Sequence, residues 1–520
     1  MKEYSRTKNS LLNMTAGATK QVVMTVLSFV SRTIFIQVLG ASYLGINGLF
    51  SNILSLLSLT QLGIGTAIVY KLYKPVANHD EKRIRVLLKF YKQAYILIGL
   101  TILTLGLLLI PLLPYLIKDY DSLEGLGICA PLVFVLFLLQ NVSSYLFFAY
   151  RSVIIRVNQK SYILHTVDFF VSLTTVILQI AALLLFKDYM IYLCIGIALI
   201  IIQNAVNAYI AHRMYPYAFE KEKEKISREE RNGILKDCGA LFVFKVSGVT
   251  LKATDNLVLS AFIGLAIVGK YSNYIILYNT LQSFISQFYN GLYASMGNAY
   301  AKESLKKNYF LFELVNFLTI VLNGTCCIGL AICSNELIDL WIGQEYVLPQ
   351  PFPILIGIEI LFLGLKINLG QARNISGAFR QVWHRPLLGV IINVVVSIIL
   401  CQKIGICGVI IGTITADLLA NFMIDPKIIH KYSFKGFMPV SHYYKKNVVF
   451  FLLLAAIGIA DYHLCRMIVT GHAFTDLILH IIICGISVPA AFGIIYRKSD
   501  VCQYLFAKVK DSKLVKKWKK

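Results

Sequence analysis

Long apolar runs recur along the whole chain of 520 residues. About 20 apolar residues in helical form cross the hydrocarbon core of a bilayer. Inside lipid, backbone polar groups must be bonded within the protein, so runs of this length are restricted to helices. The fold class is therefore an all-α integral membrane protein, with about 14 transmembrane helices. The predicted spans are residues 12–39, 43–70, 88–116, 127–150, 162–186, 189–212, 236–263, 268–300, 309–332, 351–372, 386–402, 405–424, 447–465 and 474–496.

The net charge is +23, and the basic residues that produce it are distributed according to the predicted spans. With the N-terminus in the cytoplasm, 38 of the 50 Lys and Arg residues fall in cytoplasmic segments and five in external loops. Cytoplasmic loops of membrane proteins carry such an excess. The bias predicts a multi-pass protein of the cytoplasmic membrane with both termini inside. It also accounts for the basic charge without nucleic acid as a partner, and it makes the tail typical of a segment that contacts anionic lipid.

Cysteine and histidine spacing indicates neither a disulfide framework nor a metal site. The eleven cysteines include no C-x-x-C pair, and the nine histidines form no H-E-x-x-H pattern. We expect no cofactor, apart from H⁺ or Na⁺ if transport is coupled to an ion.

The spans fall into two sets of six with two left over at the C-terminus. Residues 40–45 resemble residues 264–269 at an offset of 224. Because six is even, both sets insert with the same orientation, which predicts parallel repeats about an axis along the membrane normal. The expected divisions are an N-terminal lobe 1–214, a cytoplasmic linker 215–235, a C-terminal lobe 236–435, a final helix pair 436–500 and a basic tail 501–520.

The seventh span carries charges at bilayer depth. Such a charge costs at least about 2.5–3.5 kcal/mol and usually faces protein or a water-filled cavity. Lys245 and Lys252 lie within roughly 20° of each other on one helix face, and Asp255 can reach Lys252 as a partner three residues away. The group is either a substrate site with a switchable ion pair or an ion pair that fixes helix packing.

The first span carries Lys20 and Arg32 at comparable places. A rotation of roughly 120° separates them, so the two need not face one cavity. Arg32 either lines a cavity or extends outward to the membrane surface. The four cations of the first and seventh spans predict a central path for an anionic substrate. Lys245 and Lys252 would form its main site, with Lys20 and Arg32 as supporting contacts.

Three carboxylates within the spans are candidates for coupling to a proton or Na⁺, because intramembrane carboxylates often act as relays. They are Asp255, Glu359 and Asp417. Nothing in the sequence chooses among them.

Three segments resemble a known family. They are V-L-G-A-S-Y-L-G-I-N-G-L-F-S-N-I at residues 38–53, Q-L-G-I-G-T-A-I-V-Y-K-L-Y-K-P at 61–75 and E-L-I-D-L-W-I-G-Q-E-Y at 336–346. With the layout of twelve plus two spans, they resemble the Wzx-type polysaccharide flippases of the MOP (multidrug/oligosaccharidyl-lipid/polysaccharide) exporter superfamily.

This resemblance implies two parallel six-helix lobes around a cationic cavity, plus two C-terminal helices that form a groove for a lipid tail. The function implied is to flip undecaprenyl-diphosphate-linked oligosaccharide repeat units across the membrane by alternating access, for capsule or exopolysaccharide synthesis. The partners implied are the bilayer, the lipid-linked oligosaccharide, and a polysaccharide polymerase with its chain-length machinery. The protein would not be an enzyme.

Two alternatives belong to the same superfamily and one does not. A lipid II flippase is the first, although relatives of that kind use arginines in their second and eighth helices, where this chain has none. A cation-coupled drug exporter would favour acidic cavity residues over cationic ones. A membrane polysaccharide polymerase or ligase would need a sizeable external loop with catalytic residues, which the short external segments here do not offer.

Overall fold

All regular structure in the described residues is helical. The computed structural model describes residues 6–58, 64–118, 120–125, 127–158, 160–220, 222, 224, 226–229, 231–232, 253–302, 304–375 and 385–511. No strand occurs among them, so the predicted all-α class is confirmed. By internal contacts the chain divides into two compact units, Met1–Gly269 and Lys270–Lys520. The lobe and linker boundaries given above stay a prediction.

In the described part of the first unit, eight helices of eight residues or more lie wholly within the unit. They are α1 (Arg6–Leu39), α2 (Ala41–Leu57), α3 (Ile64–Ala77), α4 (Glu81–Leu109), α5 (Ala130–Leu146), α6 (Ser161–Phe186), α7 (Tyr189–Met214) and α8 (residues 253–262). The next helix, α9 (Leu265–Lys302), begins in the first unit and continues into the second.

The second unit continues with seven further helices. They are α10 (Leu305–Ile342), α11 (Phe352–Ile375), α12 (Arg385–Ile404), α13 (Ile406–Ala416), α14 (Val440–Met467), α15 (Ala473–Ile495) and α16 (Asp500–Asp511). The chain after α13 stays helical, through a π-helical turn at Asp417–Phe422, a short α-helix at Asp425–Ile428 and a second π-helical turn at Ile429–Ser433.

Each predicted span overlaps a helix in the part of the chain that the structure describes. Nine helices there are long and apolar enough to cross a membrane, and ten if a bent pair is counted as one span. That pair is α5 with residues 149–157, bent by 46°. Many apolar side chains on these helices are exposed in the isolated chain, which suits a surface covered by lipid. The chain is a multi-pass membrane protein.

Two predicted spans differ from the helices observed. Residues 43–70 form two helices, α2 and α3, with residues 59–63 between them outside the description. The span predicted at 405–424 extends to Ser433, as one spanning segment of irregular helix. Hydropathy counts apolar residues but not the backbone bonds of each turn, so it identifies the segment and misses the irregular turns.

A pair of glycines brings the start of α2 against the start of α9. A Cβ atom on Gly45 would lie 2.2 Å from the carbonyl oxygen of Leu265, and one on Gly269 would lie 2.3 Å from that of Ala41. The offset of 224 relates position 41 to 265 and position 45 to 269, so it exchanges the two contacts, which are therefore equivalent.

Each of the two helices also follows a glycine in the left-handed region. The φ angle of Gly40 is 86° and that of Gly264 is 127°, values that L-residues with a Cβ rarely adopt. The two repeats therefore share a backbone turn as well as a close contact.

The core of the second unit is aromatic. Phe312, Phe434, Phe450 and Phe492 are fully buried, and edge-on, tilted or stacked ring contacts at 5.2–5.8 Å join them to Tyr309, Tyr443 and Tyr496. These rings fix α10 against α14 and α15. The two C-terminal helices are thus packed parts of the second unit.

The described part of the linker contacts the N-terminal end of α4. The predicted topology places this end in the cytoplasm. Arg85 bonds Glu220 at 3.2 Å and Glu222 at 3.4 Å, and Lys89 donates to the carbonyl oxygen of Glu222 at 2.6 Å. Lys82 pairs with Glu224 at 2.7 Å. The first residues of the linker are therefore bound to the first unit.

Candidate functional site

The structure describes some of the four predicted cations and not others. Lys245 and Lys252, the residues of the predicted main site, lie outside the described residues. Lys20 lies in α1, but its side chain is outside the description. Arg32 is described, is half-buried and lies close enough to Tyr192 for an electrostatic interaction. The four are thus not shown as one site, and their roles stay predictions.

Aromatic rings of α1, α2 and α7 gather near Arg32. Phe35 contacts Tyr192 at 5.3 Å and Tyr189 at 5.8 Å between ring centroids, and Tyr43 contacts Tyr189 at 5.0 Å. One turn of helix separates Phe35 from Arg32. Arg32 therefore adjoins a packed aromatic cluster at the predicted external end of α1.

Asp255 is buried in α8, with only 4% of its surface exposed. On the same helix Ser260 is fully buried and its hydroxyl donates to the carbonyl oxygen of Leu116 at 2.8 Å, while its own carbonyl accepts from the amide of Lys118 at 3.2 Å. Asn256 lies near Gly48 of α2. The described part of the seventh span is thus fixed within the first unit, with its carboxylate inside protein.

The largest cluster of buried charge in the described chain lies in the second unit, between α11, α12 and the irregular continuation of α13. We call this cluster the ion network. It consists of Lys366, Arg373, Arg385, Asp417, Asn421 and Asp425.

One half of the ion network is centred on Asp417. Lys366 of α11 donates from Nζ to Oδ1 of Asp417 at 2.8 Å, and the same oxygen accepts from Nδ2 of Asn421 at 2.6 Å. The Asp417 carboxylate is nearly buried, with 7% of the side chain exposed, and the Lys366 side chain is 32% exposed. Any coupling role for Asp417 would therefore require this ion pair to open.

The other half is centred on Asp425, whose side chain is fully buried. Arg373 donates from Nη1 to both carboxylate oxygens, at 2.9 and 3.0 Å, and Arg385 donates to Oδ2 at 2.7 Å. Arg385 also donates to Oδ1 of Asn421, which links the two halves. The network thus joins the C-terminal end of α11, the N-terminal end of α12 and the segment after α13.

Three cations face two carboxylates in the ion network, so it carries a net charge of +1 when all groups are ionised. Taking ions out of water is costly, and their attraction offsets the loss only when the geometry is good and the remaining groups are bonded. Bonds between charged partners at 2.7–3.0 Å meet the first condition.

Irregular helix surrounds Asp425. One π-helical turn ends at Phe422 and the other begins at Ile429. Such turns are rare and frequently occur at functional sites. They shift the faces of the helix, so the network is assembled where the backbone of this spanning segment departs from regular α-helix.

Glu359 lies on α11 and is half-buried, seven residues before Lys366. It shares a face with Lys366 and Arg373, since seven residues nearly complete two turns. Of the other two carboxylates predicted as coupling candidates, the structure places Asp255 in the first unit and Asp417 in the ion network.

Sequence reasoning missed Arg373, Arg385 and Asp425, because it assigned them to cytoplasmic segments between spans. The spacing contained a signal. Cations follow Glu359 at seven-residue steps on α11, and polar residues follow Asp417 at four-residue steps at 421 and 425. Each series marks one face of a helix. Two helices with complementary polar faces in a membrane predict a contact between them.

Comparisons with known proteins place the fold. No family model matches the chain and no curated protein matches it in sequence. Among solved structures, the lipid II flippase MurJ in an inward closed conformation superposes with a TM-score of 0.63 at 16% identity, over 94% of this chain and 99% of that one. An inward-facing MATE multidrug transporter of the MOP superfamily gives 0.53 at 12% identity, over 79% and 95%. A single-residue mutant of the Vibrio cholerae MATE transporter VcmN gives 0.52 at 13% identity, over 82% and 98%.

These likenesses establish the fold. The chain has the MOP flippase fold that the sequence predicted, shared with MurJ and with MATE transporters. At identities of 12–16% they do not transfer a substrate or the roles of individual residues.

Proposed function

We propose that the protein flips an undecaprenyl-diphosphate-linked oligosaccharide from the cytoplasmic to the external leaflet. The observation that carries this proposal is the extent of the structural likeness. MurJ matches 94% of the chain, whereas the MATE transporters match 79% and 82% while being almost wholly covered themselves. The difference is roughly the length of two membrane helices. The chain is thus more similar in extent to the lipid II flippase than to the MATE transporters, which supports the proposal.

The balance of intramembrane charge supports the same substrate class. A diphosphate requires cations, and arginine binds phosphate oxygens with two donors at once whereas lysine acts as a point charge. The predicted cations of the central path are Lys20, Arg32, Lys245 and Lys252. Apart from Asp237 at the cytoplasmic start of the seventh span, the spans that hold them carry one carboxylate, Asp255. A drug exporter that takes cationic substrates would need the opposite balance.

Capsule or exopolysaccharide repeat units remain the substrates that the sequence resemblance favours, with lipid II as the second candidate. Both carry undecaprenyl diphosphate and differ in the sugar or peptide beyond it. A polymerase and chain-length machinery would then consume the flipped product. Transport would proceed by alternating access of two lobes around the cationic path, with Asp255, Glu359 or Asp417 as candidates for coupling to H⁺ or Na⁺.

The test uses purified full-length protein in liposomes that contain a fluorescent isoprenoid-diphosphate oligosaccharide. We expect protein-dependent movement of the label between leaflets, measured by quenching with a reagent that cannot cross the membrane. Parallel liposomes contain lipid II or are loaded with a cationic dye. Movement of lipid II alone would favour the second candidate.

A fluorescent phospholipid with a neutral headgroup serves as the control for unselective scrambling. Extrusion of the cationic dye without movement of any isoprenoid diphosphate would overturn the proposal in favour of a drug exporter.

A further inference from the structure

A surface pocket lies where the last turn after α13 meets the start of α14. Its volume is about 590 Å³. Four basic residues line it, namely Lys427, His430, Lys431 and Lys435. No carboxylate is among the residues that line it. We call it the phosphate pocket.

The three lysines of the phosphate pocket follow one another at four-residue steps. Lys427 and Lys431 lie in the helical segment that ends at Ser433, and Lys435 lies in the turn after it. All three are exposed, and none forms an ion pair with a described residue. Two carboxylates near the pocket have other partners: Asp425, two residues before Lys427, and Glu313, which lies close enough to His430 for an electrostatic interaction. Asp425 binds Arg373 and Arg385, and Glu313 binds Lys446 at 3.1 Å and His442 at 3.5 Å.

A buried histidine also lines the pocket. His430 is 3% exposed, and its Nδ1 bonds the carbonyl oxygen of Pro426 at 2.8 Å. Its Nε2 is buried and has no hydrogen-bond partner among the described residues. Because Nδ1 carries a proton to bond a carbonyl, Nε2 is an acceptor in the neutral ring and a donor only in the protonated ring. An unsatisfied buried polar atom costs about 1–3 kcal/mol, and an anion in the pocket would favour the protonated ring, whose Nε2 can donate to it.

The backbone adds further positive character. The 28-residue helix α14 begins at the pocket with Val440, and no side chain caps its N-terminus. Unbonded N–H groups and the helix dipole make such an end attractive to anions. Lys435 and Gly436, with φ angles of 49° and 74°, form a tight turn beside it.

The pocket lies at the depth of lipid headgroups. The segments on either side of it, Ile406–Ser433 and Val440–Met467, both have the length and hydropathy of membrane spans. The short connection between them must therefore lie at a membrane surface, which the predicted topology places in the cytoplasm. Exposed Tyr432 and Phe437 flank the lysines, as aromatic residues do at membrane interfaces.

The geometry points to a binding site for a lipid-borne phosphate in this pocket, separate from the proposed central path. Lys427, Lys431 and Lys435 neutralise the phosphate, the N-terminus of α14 donates to its oxygens, and Nε2 of His430, when protonated, supplies a further donor. The phosphate belongs either to an anionic phospholipid or to an isoprenoid diphosphate. The inference does not depend on the proposed function.

Purified full-length protein in detergent provides the test. Thermal unfolding midpoints are measured against increasing dioctanoyl-phosphatidylglycerol, with dioctanoyl-phosphatidylcholine as the zwitterionic comparison, whose phosphate is neutralised by its own choline. Geranylgeranyl diphosphate and inorganic phosphate are the other two probes. In the triple variant Lys427→Gln/Lys431→Gln/Lys435→Gln we expect the apparent affinity for the lipid-borne phosphate to fall by about tenfold or more. The midpoint without ligand should stay the same, since the three side chains are exposed.

The matched control removes three exposed lysines that lie outside the pocket, by Lys306→Gln/Lys445→Gln/Lys498→Gln. It should bind like the wild type. His430→Phe keeps an aromatic ring in the packed cluster and removes Nε2, and it should weaken binding without abolishing it.

The probes distinguish the sources of the phosphate. Lysine-dependent binding of phosphatidylglycerol identifies a phospholipid site, and lysine-dependent binding of geranylgeranyl diphosphate alone identifies an isoprenoid site. Equal loss in the two triple variants, or binding that the pocket lysines do not affect, would overturn the inference. So would binding of inorganic phosphate as tight as that of the lipids, because the lipid would then contribute nothing.

Discussion

Among single residues, Asp425 decides the stability of the ion network, because its buried carboxylate bonds two arginines. Asp425→Asn keeps the size of the side chain and removes the charge, so Arg373 and Arg385 remain buried without an anion. Removal of one partner from a buried ion pair costs about 3–5 kcal/mol. We therefore expect the midpoint of thermal unfolding of the purified protein to fall by several degrees.

Asp339→Asn is the matched control. Asp339 is exposed in the last turn of α10, and exposed substitutions of this kind usually change stability by less than about 0.5 kcal/mol. If Asp425→Asn and Asp339→Asn unfold at the same temperature, the network does not stabilise the second unit.

A triple apolar variant separates stability from transport in the same cluster. Arg373→Met/Arg385→Leu/Asp425→Leu removes the Asp425 carboxylate together with the two arginines that bind it. Such replacements of buried ionic groups are often neutral or stabilising. We expect the unfolding midpoint to return close to that of the wild type. Transport by this variant in the liposome assay should be lower than that of the wild type if the charged groups of the network change partners during the transport cycle. A variant that is both stable and fully active would limit the network to a packing role.

A second substitution tests Lys252, the cation predicted to lie deepest in the membrane. It lies about 16 Å from the nearer end of its predicted span, too far for its ammonium group to reach the membrane surface comfortably. Lys252→Ala should abolish polymer export in cells while the amount of protein in the membrane is unchanged. Immunoblots of membranes and assays of exported polysaccharide check both parts.

Lys403→Ala, in the last turn of α12 at the predicted external end, is the control and should export normally. If Lys252 only neutralises Asp255, the double variant Lys252→Ala/Asp255→Ala should recover export. Normal polymer output from Lys252→Ala alone would contradict the central path.

At the residue scale, the sequence identified Asp417 correctly as a buried carboxylate but not its partner. Residues inside an apolar run are recognised by the cost of burying them. Arg373 and Arg385 stand at the ends of helices, where arginine is ordinary in a membrane protein. Only their contact with Asp425, about 40 to 50 residues away in sequence, makes them buried. Such long-range pairing cannot be deduced from one residue at a time.

Among the helices, the crossing of α2 and α9 depends on glycine. Added methyl groups at Gly45 or Gly269 would overlap backbone carbonyls, which cannot move away as a side chain can. Overpacking typically costs about 1–3 kcal/mol. We expect Gly45→Ala and Gly269→Ala each to lower the unfolding midpoint by similar amounts, because the two contacts are equivalent.

Gly485→Ala in α15 is the control for helix propensity. A Cβ atom there meets nothing within 4 Å, and alanine is favoured over glycine in a helix interior by roughly 0.5–1 kcal/mol. The midpoint should stay the same or rise. A rise in all three variants would show that the crossing of α2 and α9 tolerates a side chain.

The extent to which sequence predicts each helix depends on what defines it. Apolar length defines α6, α7, α14 and α15, and their predicted bounds differ from those observed by few residues except at the start of α14. The segment after α13 is defined by π-helical turns around buried charge. Its backbone geometry depends on contacts with α11 and α12, so hydropathy ends it too early.

At the scale of the whole molecule, the predicted repeat coincides with a pair of equivalent backbone contacts. The residues at positions 41, 45, 265 and 269 share little side-chain chemistry beyond the glycines. The equivalence resides in backbone turns and in close helix approach, which require glycine at two places and tolerate other residues elsewhere. A duplicated fold can thus persist after its sequence likeness has nearly disappeared.

The orientation in the membrane follows from the distribution of charge over the whole chain, and it is open to direct measurement. We compare Lys403→Cys, in the last turn of α12, with Lys498→Cys, between α15 and α16. Both side chains are exposed, and the charge bias places the first outside the cell and the second inside. Cys129, which is exposed in the parent chain, is first replaced by serine to lower the background.

In intact cells a maleimide that cannot cross the membrane should label Lys403→Cys above the background of the parent, and it should label Lys498→Cys only after the cells are permeabilised. The reverse pattern would invert the topology and place the phosphate pocket on the outer surface. There it would meet the external leaflet, and the lysines at 427, 431 and 435 could not bind a phosphate delivered from the cytoplasm. The orientation of the chain therefore determines which leaflet supplies the lipid that the pocket binds.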